Sequence, residues 1–305
     1  MKGSIKSVFS WFANDNHAGN LNGVENKIDW LRAIPFILIQ LSCLFVFVVG
    51  FSWSALITAL VLCYIRIFSI GAFYHRYFSH RAYKTNRFWQ FIFGVFGASS
   101  VQRGPIWWAS HHRSHHATAD QPEDAHSPVQ HGFWWSHMGW FLSRKNYFYD
   151  DKNVRDLTRF PELVFLDKFD VAVPLLLAVS TYCFGAFLEH NYPALGTNGW
   201  QMLVWGFSVS TFLLFHSTVC INSLAHKVGS RPYKTKDHSR NNWWLALLTL
   251  GEGWHNNHHH YPASARQGFR FWQIDITYYG LLLMEKLKIV RDIKVVPKEI
   301  LENKG

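Results

Sequence analysis

Residues 34–51, IPFILIQLSCLFVFVVGF, and residues 55–73, ALITALVLCYIRIFSIGAF, are separated only by Ser52, Trp53 and Ser54 and run straight into Tyr74-His75-Arg76-Tyr77-Phe78-Ser79-His80. Each run approaches the roughly 20 apolar residues that a helix needs to cross a bilayer. With three residues between them they form a hairpin, and the chain returns to its starting side. Two further runs, about 171–188 and 202–221, are joined by the polar turn 189–199 and repeat the arrangement. The expectation is an all-α integral membrane protein of four transmembrane helices in two hairpins, with a helical cap carrying a histidine-rich site.

The charge distribution orients this frame. The chain has 305 residues and a formal net charge of +10, yet no Lys or Arg occurs between Ala33 and Ile65 or between Phe169 and Ala225. Positive charge confined to one side is the positive-inside pattern, which puts both termini and the cap in the cytoplasm and makes nucleic acid an unneeded partner. Fifteen Trp and twenty-six Phe suit a membrane protein with aromatic interfaces. The four Cys lie inside apolar runs without a CxxC pair, so a disulfide framework and a thiolate metal site are both excluded, and the reading is buried, reduced thiols. Arg66 stands one to two turns before the inner end of its run, where snorkelling to the interface is expected.

Between the spans the chain divides as follows. Residues 1–32 form a polar leader without the apolar core of a cleavable signal peptide. Residues 33–290 read as one unit of spans and cap, the cap being 74–168 and 222–290, and residues 291–305 as a charged tail. Within the cap, Phe88 to Ala98 is apolar but too short to cross, and is expected to lie at the interface or tuck under the cap.

The chemistry lies in the histidines. His112, His115 and His116 fall at i, i+3 and i+4, one face of a helix, and the same HxxHH spacing returns at His255, His258 and His259. One histidine beside an apolar helix is usually a hydrogen-bonded packing residue. Repeated spacing at the ends of apolar segments, together with His75, His80 and His226, supplies nine imidazoles and points to a two-metal centre. Imidazole suits iron, zinc, copper and nickel; redox iron with an open position accounts for the number best, although zinc can occupy such a site in purified material. His75 and His80 lie roughly 140 degrees apart on an ideal helix, so both reach one centre only if the helix ends or bends between them. Asn222, one turn before His226, is placed to reach the site through a water. Asp120, Asp124 and Glu252 are candidates to orient imidazole rings through their second nitrogen, with solvated loop charges as the equal alternative. His111, His126, His131, His137, His216 and His260 are set aside as packing or headgroup contacts.

HRYFSH at 75–80, HRSHH at 112–116, NSLAH at 222–226 and HNNHH at 255–259, in that order, make the chain resemble the membrane-bound fatty acyl desaturases of the stearoyl-CoA desaturase type. The likeness covers the chain from the second run to about Leu287. It implies a four-helix stem with a cytosolic cap and a di-iron centre held by His75, His80, His112, His115, His116, His226, His255, His258 and His259, with Asn222 in an outer position. It implies O2-dependent removal of two hydrogens from a long saturated acyl chain at C9 and C10, because an unactivated methylene has no acidic proton and oxygen must be activated at a metal. Ala59 and Cys63 correspond to the face that closes the family's substrate tunnel, and being small they suggest a C16–C18 chain. Arg103, Arg144 and Lys145 are candidates for a CoA or lipid phosphate, and Trp107 and Trp108 for lining or interface packing. Acyl-CoA is the expected carrier, with glycerolipid-bound chains the alternative because VQRGPIWW at 101–108 looks bacterial or plant-like. The sequence carries no fused haem domain, so ferredoxin, rubredoxin or a cytochrome with its reductase is the expected electron donor. A related di-iron hydroxylase is the nearest rival, and a metal transporter the remote one.

Overall fold

The computed structural model describes residues 12–13 and 26–302, which are helical and contain no β-strand. Four helices are long and apolar enough to cross a membrane: α1 (Trp30–Val49), α2 (Trp53–Ser79), α6 (Ala172–Asn191) and α7 (Gly199–Ser223). The expected leader falls outside the described residues except for 12–13 and 26–32. Around the stem's polar end lie α3 (Arg87–Ala98), α4 (Pro105–Thr118), α5 (Pro161–Lys168), α8 (Trp243–Leu248), α9 (His255–His260) and α10 (Ile276–Lys286).

The α1–α2 turn is short because its backbone is bonded elsewhere. Gly50 turns at φ +71°, Trp205 Nε1 donates to its carbonyl at 2.9 Å, and Ser52 Oγ caps α2 through the Ala55 amide at 3.1 Å. Gln201 Nε2 reaches the Val49 carbonyl at 3.1 Å and Gln201 Oε1 accepts from Ser52 at 2.6 Å. The two hairpins are thereby joined at the end remote from the cap.

Helix α2 does not stop where its apolar run ends. From Ile70 to Ser79 it continues in π register, buried under the cap at nearly every position. Phe73 stacks on Phe93 of α3 with ring centroids 4.1 Å apart, and Gly97 of α3 leaves room for Tyr74, whose ring carbon would lie 2.0 Å from a Cβ there. Tyr74, Phe78, Phe93, Ile106, Trp107 and Leu163 belong to one core that runs from the end of α2 into the cap. Helix α3 is accordingly tucked under the cap, one of the two placements expected for it.

Two expectations need correction. Arg66 does not snorkel: it is 1% exposed, and its guanidinium donates to the Leu62 carbonyl at 3.1 Å, the Ser99 carbonyl at 3.2 Å, Thr211 Oγ1 at 2.9 Å and Ser210 Oγ. The C-terminal end of α3, with its negative dipole, lies close enough to hold the charge without an interface. The cysteines are free thiols, but only Cys63 is buried, and Cys183 is exposed on the outer face of α6. The charged tail begins as packed chain: Lys294 N–H bonds the Ala82 carbonyl at 2.8 Å and Val296 packs with Tyr233 and Phe269.

Candidate metal centre and adjoining cavity

The nine histidines of the four motifs meet at the junction of stem and cap and fall into two groups. His75, His80, His112, His116 and His258 have ring nitrogens all within 4.8 Å of one another, as do His115, His226, His255 and His259. The two HxxHH boxes are used in complementary fashion. Helix α4 gives its i, i+4 pair, His112 and His116, to the first group and His115 to the second; α9 gives His258 to the first and His255 with His259 to the second.

π register brings His75 and His80 together. An i to i+5 hydrogen bond, His80 N–H to the His75 carbonyl at 3.2 Å, sets the two rings with centroids 4.8 Å apart. The helix also ends here, at Ser79, as expected; the widening before that end had no separate sequence signal. π turns inside α-helices are often found at functional sites. Helix α4 is held from its N-terminus, where Asp167 of α5 accepts from the amides of Ile106 at 3.2 Å and Trp107 at 2.8 Å. Helix α9 is fixed by its two asparagines: Asn256 Oδ1 accepts from Tyr233 N–H at 2.8 Å, and Asn257 Nδ2 donates to the Gln267 carbonyl at 2.8 Å.

Four rings are oriented by carboxylates. Nδ1–H of His226 donates to Asp120 Oδ2 at 2.8 Å, that of His115 to Asp124 Oδ2 at 2.9 Å, that of His259 to Asp237 Oδ2 at 2.8 Å, and that of His75 to Glu252 Oε2. Burial alone would raise these carboxyls. It is outweighed by the imidazoles at Asp120, Asp124 and Asp237, which fall below the usual carboxylate range, and by Arg76 and His75 at Glu252, held at about 2. Ionised carboxylates accept only, so each of these four histidines carries its proton on Nδ1 and turns a bare Nε2 inward. Gly71 permits this at His75, since a Cβ there would lie 2.7 Å from Glu252 Oε1.

The inward nitrogens are crowded. Nε2 atoms lie 3.0 Å apart between His75 and His258, 2.7 Å between His80 and His112, 2.9 Å between His116 and His258, and 3.0 Å between His226 and His255. His259 Nε2 is buried without a hydrogen-bond partner. Burial, reinforced by neighbouring imidazoles, pushes His80, His112, His116, His255 and His258 well below 6.5; at His115 burial prevails over Asp124 and takes it to about 3. Converging imidazole Nε2 atoms, four of them on rings whose Nδ1–H is paired with a carboxylate, form a donor set suited to metal cations, and without thiolate it suits the borderline metals.

Asp120, Asp124 and Glu252, candidates from the sequence, each accept from an imidazole Nδ1–H. Asp237 was missed, although it is the sole acidic residue between Glu189 and Glu252. Gln267, which donates to Glu252 at 3.0 Å, and the Arg76–Asp275 pair behind Glu252, with Arg76 at 2.9 Å from each carboxylate, were missed as well. His126, set aside as packing, shares Asp124 with His115 at 2.9 Å.

A cavity of about 530 Å³ adjoins the histidines and is walled by His75, His112, His115, His255, Asn222 and Glu252 on that side. Arg103 and Trp108 line it; Trp108 stacks on His112 at 5.0 Å, and Arg103, the phosphate candidate, pairs with Asp170 at 2.8 Å. Ala59, Cys63, Arg144 and Lys145 are not on its wall. Cys63 packs with Ile67, Leu214 and Leu250 instead, and α2 reaches the cavity one turn further on, at Ile67 and Ile70. Arg144 and Lys145 are exposed on the cap, because their segment bonds the start of α1: Arg144 N–H donates to the Lys27 carbonyl at 2.9 Å.

Fold and site together define a polytopic helical membrane protein with an imidazole-rich metal-binding geometry beside an apolar cavity. The family model for fatty acid desaturases matches residues 51–281, and the chain belongs to that family. It is therefore an oxidoreductase of lipid metabolism. It is 38% identical over 259 residues to an acyl-CoA 5-desaturase of Anemone leveillei, covering 83% of this chain and 76% of that one. It is 33% identical over 276 residues to an sn-1 stearoyl-lipid 9-desaturase of Anabaena variabilis (90% and 96%), and 36% identical over 279 residues to one of Synechocystis sp. (90% and 83%).

Proposed function

We propose that the chain uses O2 to introduce a cis double bond at C9 of a long saturated acyl chain, C16–C18, with two irons held by the nine histidines and Asn222 in an outer position. The observation that carries this is the pair of imidazole groups, their Nε2 lone pairs converging at the wall of an apolar cavity. Iron when bound supplies the electrons and oxygen chemistry that no side chain offers to an unactivated methylene. The protein's own residues do the rest: Asp120, Asp124, Asp237 and Glu252 fix tautomer and ring orientation, and Trp108, Phe36, Phe141 and Phe215 offer the apolar wall that sets which methylene lies beside the histidines.

Chain length rests on the stearoyl specificity named for the two cyanobacterial relatives, since Ala59 and Cys63 are not on the cavity wall. Of the two carriers, acyl-CoA follows the Anemone leveillei relative and glycerolipid the cyanobacterial ones. Residues 33–290 act as one desaturase unit after a leader, 1–32, and before a tail, 291–305. The termini and site face the cytoplasm, by the positive-inside distribution, where a separate ferredoxin, rubredoxin or cytochrome delivers electrons.

Expression in cells lacking desaturase, with fatty acids analysed by gas chromatography and mass spectrometry, tests the reading. A new Δ9 alkene is expected; a hydroxylated product would turn the assignment to the hydroxylase rival, and unchanged lipids despite a supplied donor would refute it. His115→Ala is expected to abolish the alkene and lower bound iron, and normal turnover in it would remove that box from the site.

A further inference from the structure

The cavity beside the histidines is walled mostly by buried residues towards the cap, the half-exposed Phe12 apart, and by half-exposed residues along the stem. Its cap-side wall includes Trp107 at 4% exposure and Trp140, Tyr147 and His126 at 7% each. Its stem-side wall includes Leu38 of α1 and Leu175 of α6, which are 59% and 52% exposed on helices that span the bilayer. A residue that lines a cavity and is also half exposed on a lipid-facing helix marks a breach in the wall. Helices α1 and α6 each pack on α7 and barely touch one another, so the breach lies between them.

Its depth follows from the helix rise. Both helices start on the cap side, α1 because Asp29 N–H bonds the Leu142 carbonyl at 2.9 Å, and α6 because it follows α5 of the cap. At 1.5 Å per residue, Leu38 lies about 12 Å along α1 from Trp30, and Leu175 about 5 Å along α6 from Ala172. That range is the hydrocarbon of the cap-side leaflet just beneath its headgroups. Above it, at headgroup level, the Arg32 and Arg103 guanidiniums stack over the Tyr147 ring at 4.5 and 4.7 Å. Apolar entrance below and a polar rim of Arg32, Arg103 and Asp170 above, the last paired with Arg103 at 2.8 Å, match the order of groups in a glycerolipid, with acyl chain inside and ester and headgroup at the interface.

We propose that the substrate chain enters sideways from the cap-side leaflet between α1 and α6, still esterified to a bilayer glycerolipid. This rests on the desaturase reading and chooses between its two carriers. A chain drawn from the leaflet leaves bulk hydrocarbon for an apolar cavity, so entry incurs little desolvation. A chain arriving on a soluble carrier would have to pass the buried Trp107, Trp140 and Tyr147.

The test uses the full-length protein in vesicles of phosphatidylglycerol and monogalactosyldiacylglycerol carrying stearoyl chains, with stearoyl-CoA supplied separately. Leu175→Trp and Leu38→Trp fill the breach from lipid-exposed positions that tolerate bulk, and unchanged metal content and thermal stability confirm their folding. The parent is expected to desaturate the vesicle lipid, and each variant to lose at least tenfold of that rate. Undiminished lipid turnover in both variants, or a parent that uses stearoyl-CoA and not vesicle lipid, would overturn lateral entry while leaving the desaturase reading intact. A second readout needs no turnover: phosphatidylglycerol with a diazirine on its acyl chain should label Phe36, Phe141 or Phe215 in the parent and not in Leu175→Trp. Absence of cavity labelling in the parent would refute the proposal whether or not an alkene is formed.

Discussion

Replacing Asp237 by Asn exchanges one carboxylate oxygen for an NH2 group and should disable one of the two histidine groups. In the folded chain Asp237 Oδ2 accepts from His259 Nδ1–H at 2.8 Å, while Oδ1 accepts from the Ser239 amide at 2.9 Å and from Thr235 Oγ1 at 3.0 Å. An asparagine cannot turn its amide nitrogen towards Ser239 and Thr235, because both donate. Its NH2 must therefore face His259, and the imidazole can answer only by accepting at Nδ1 and moving its proton to Nε2. That proton would sit on the atom that points into the group formed with His115, His226 and His255. Recovering the metal-binding tautomer sets the Asn NH2 and the His259 Nδ1–H as two donors facing each other, and so forfeits the parent's charge-assisted bond, worth about 1.5 to 3 kcal/mol. At 1.4 kcal/mol per decade this is roughly a ten- to hundredfold loss of metal affinity in that group.

The assay is metal content by mass spectrometry after dialysis against graded chelator. Asp237→Asn should release one metal per chain at lower chelator than the parent, with the group around His75 unaffected, and alkene formation should fall with it. Asp237→Ala gives the discriminating comparison. It removes more of the side chain but imposes no tautomer, so it should weaken metal binding less than Asn does. Metal retention within twofold of the parent in Asp237→Asn, or a larger loss in Ala than in Asn, would refute the tautomer argument.

Two further outcomes follow from the same geometry. Gly97→Ala would put a methyl group 2.0 Å from the ring of Tyr74, which is fully buried and donates its hydroxyl to the Arg103 carbonyl at 3.1 Å; a loss of about 1 to 3 kcal/mol, read as a lower melting temperature in detergent, is expected. The metal-free protein should be acid-labile. Buried imidazoles with folded pKa below 6.5 bind protons only in the unfolded chain, so stability is lost as pH falls below about 6.5, each such group costing about 1.4 kcal/mol at pH 5.5. The paired carboxylates, also lowered in the folded chain, act in the same sense but only near and below their usual range, about pH 4, so the histidines govern the window between pH 7.5 and 5.5. Thermal denaturation of chelator-treated protein at pH 7.5 and 5.5 measures it, and an unchanged midpoint would show that the histidines are not held neutral.

What the sequence carried well was local. Two apolar runs three residues apart need no tertiary information to be read as a hairpin, and the helical spacing of His112, His115 and His116 puts them on one face in any context. What it carried poorly depended on neighbours far along the chain. Arg66 looked like a snorkelling residue because nothing in residues 55–73 shows that the end of α3 will reach it. Ala59 and Cys63 were placed on the tunnel by resemblance, yet the cavity wall begins one turn later, at Ile67, where α2 passes under the cap. Asp237 sits in a polar segment of ordinary composition, and only the fold brings it to His259.

The partition of the histidines lies between these cases. On an ideal helix, residues i and i+4 are about 40 degrees apart, whereas i+3 lies about 60 degrees to the other side of i. An HxxHH box therefore separates two rings that converge from one that diverges, and divides its rings between two groups in the ratio two to one. Two such boxes facing each other can give one group four of the six rings, or three to each. The chain takes the second course, His112, His116 and His258 against His115, His255 and His259. The spacing alone places the three rings of a box on one face, and the two-to-one division appears only when the folded chain sets two groups on either side of it. How the divisions combine is set by the mutual placement of α4 and α9, which Asp167 at the start of α4 and Asn256 with Asn257 inside α9 hold in place. The remaining ligand candidates complete the asymmetry: His75 and His80, joined by π register, bring the first group to five rings, and His226 brings the second to four. Asn222, one turn before His226, lines the cavity together with His115 and His255 of the smaller group.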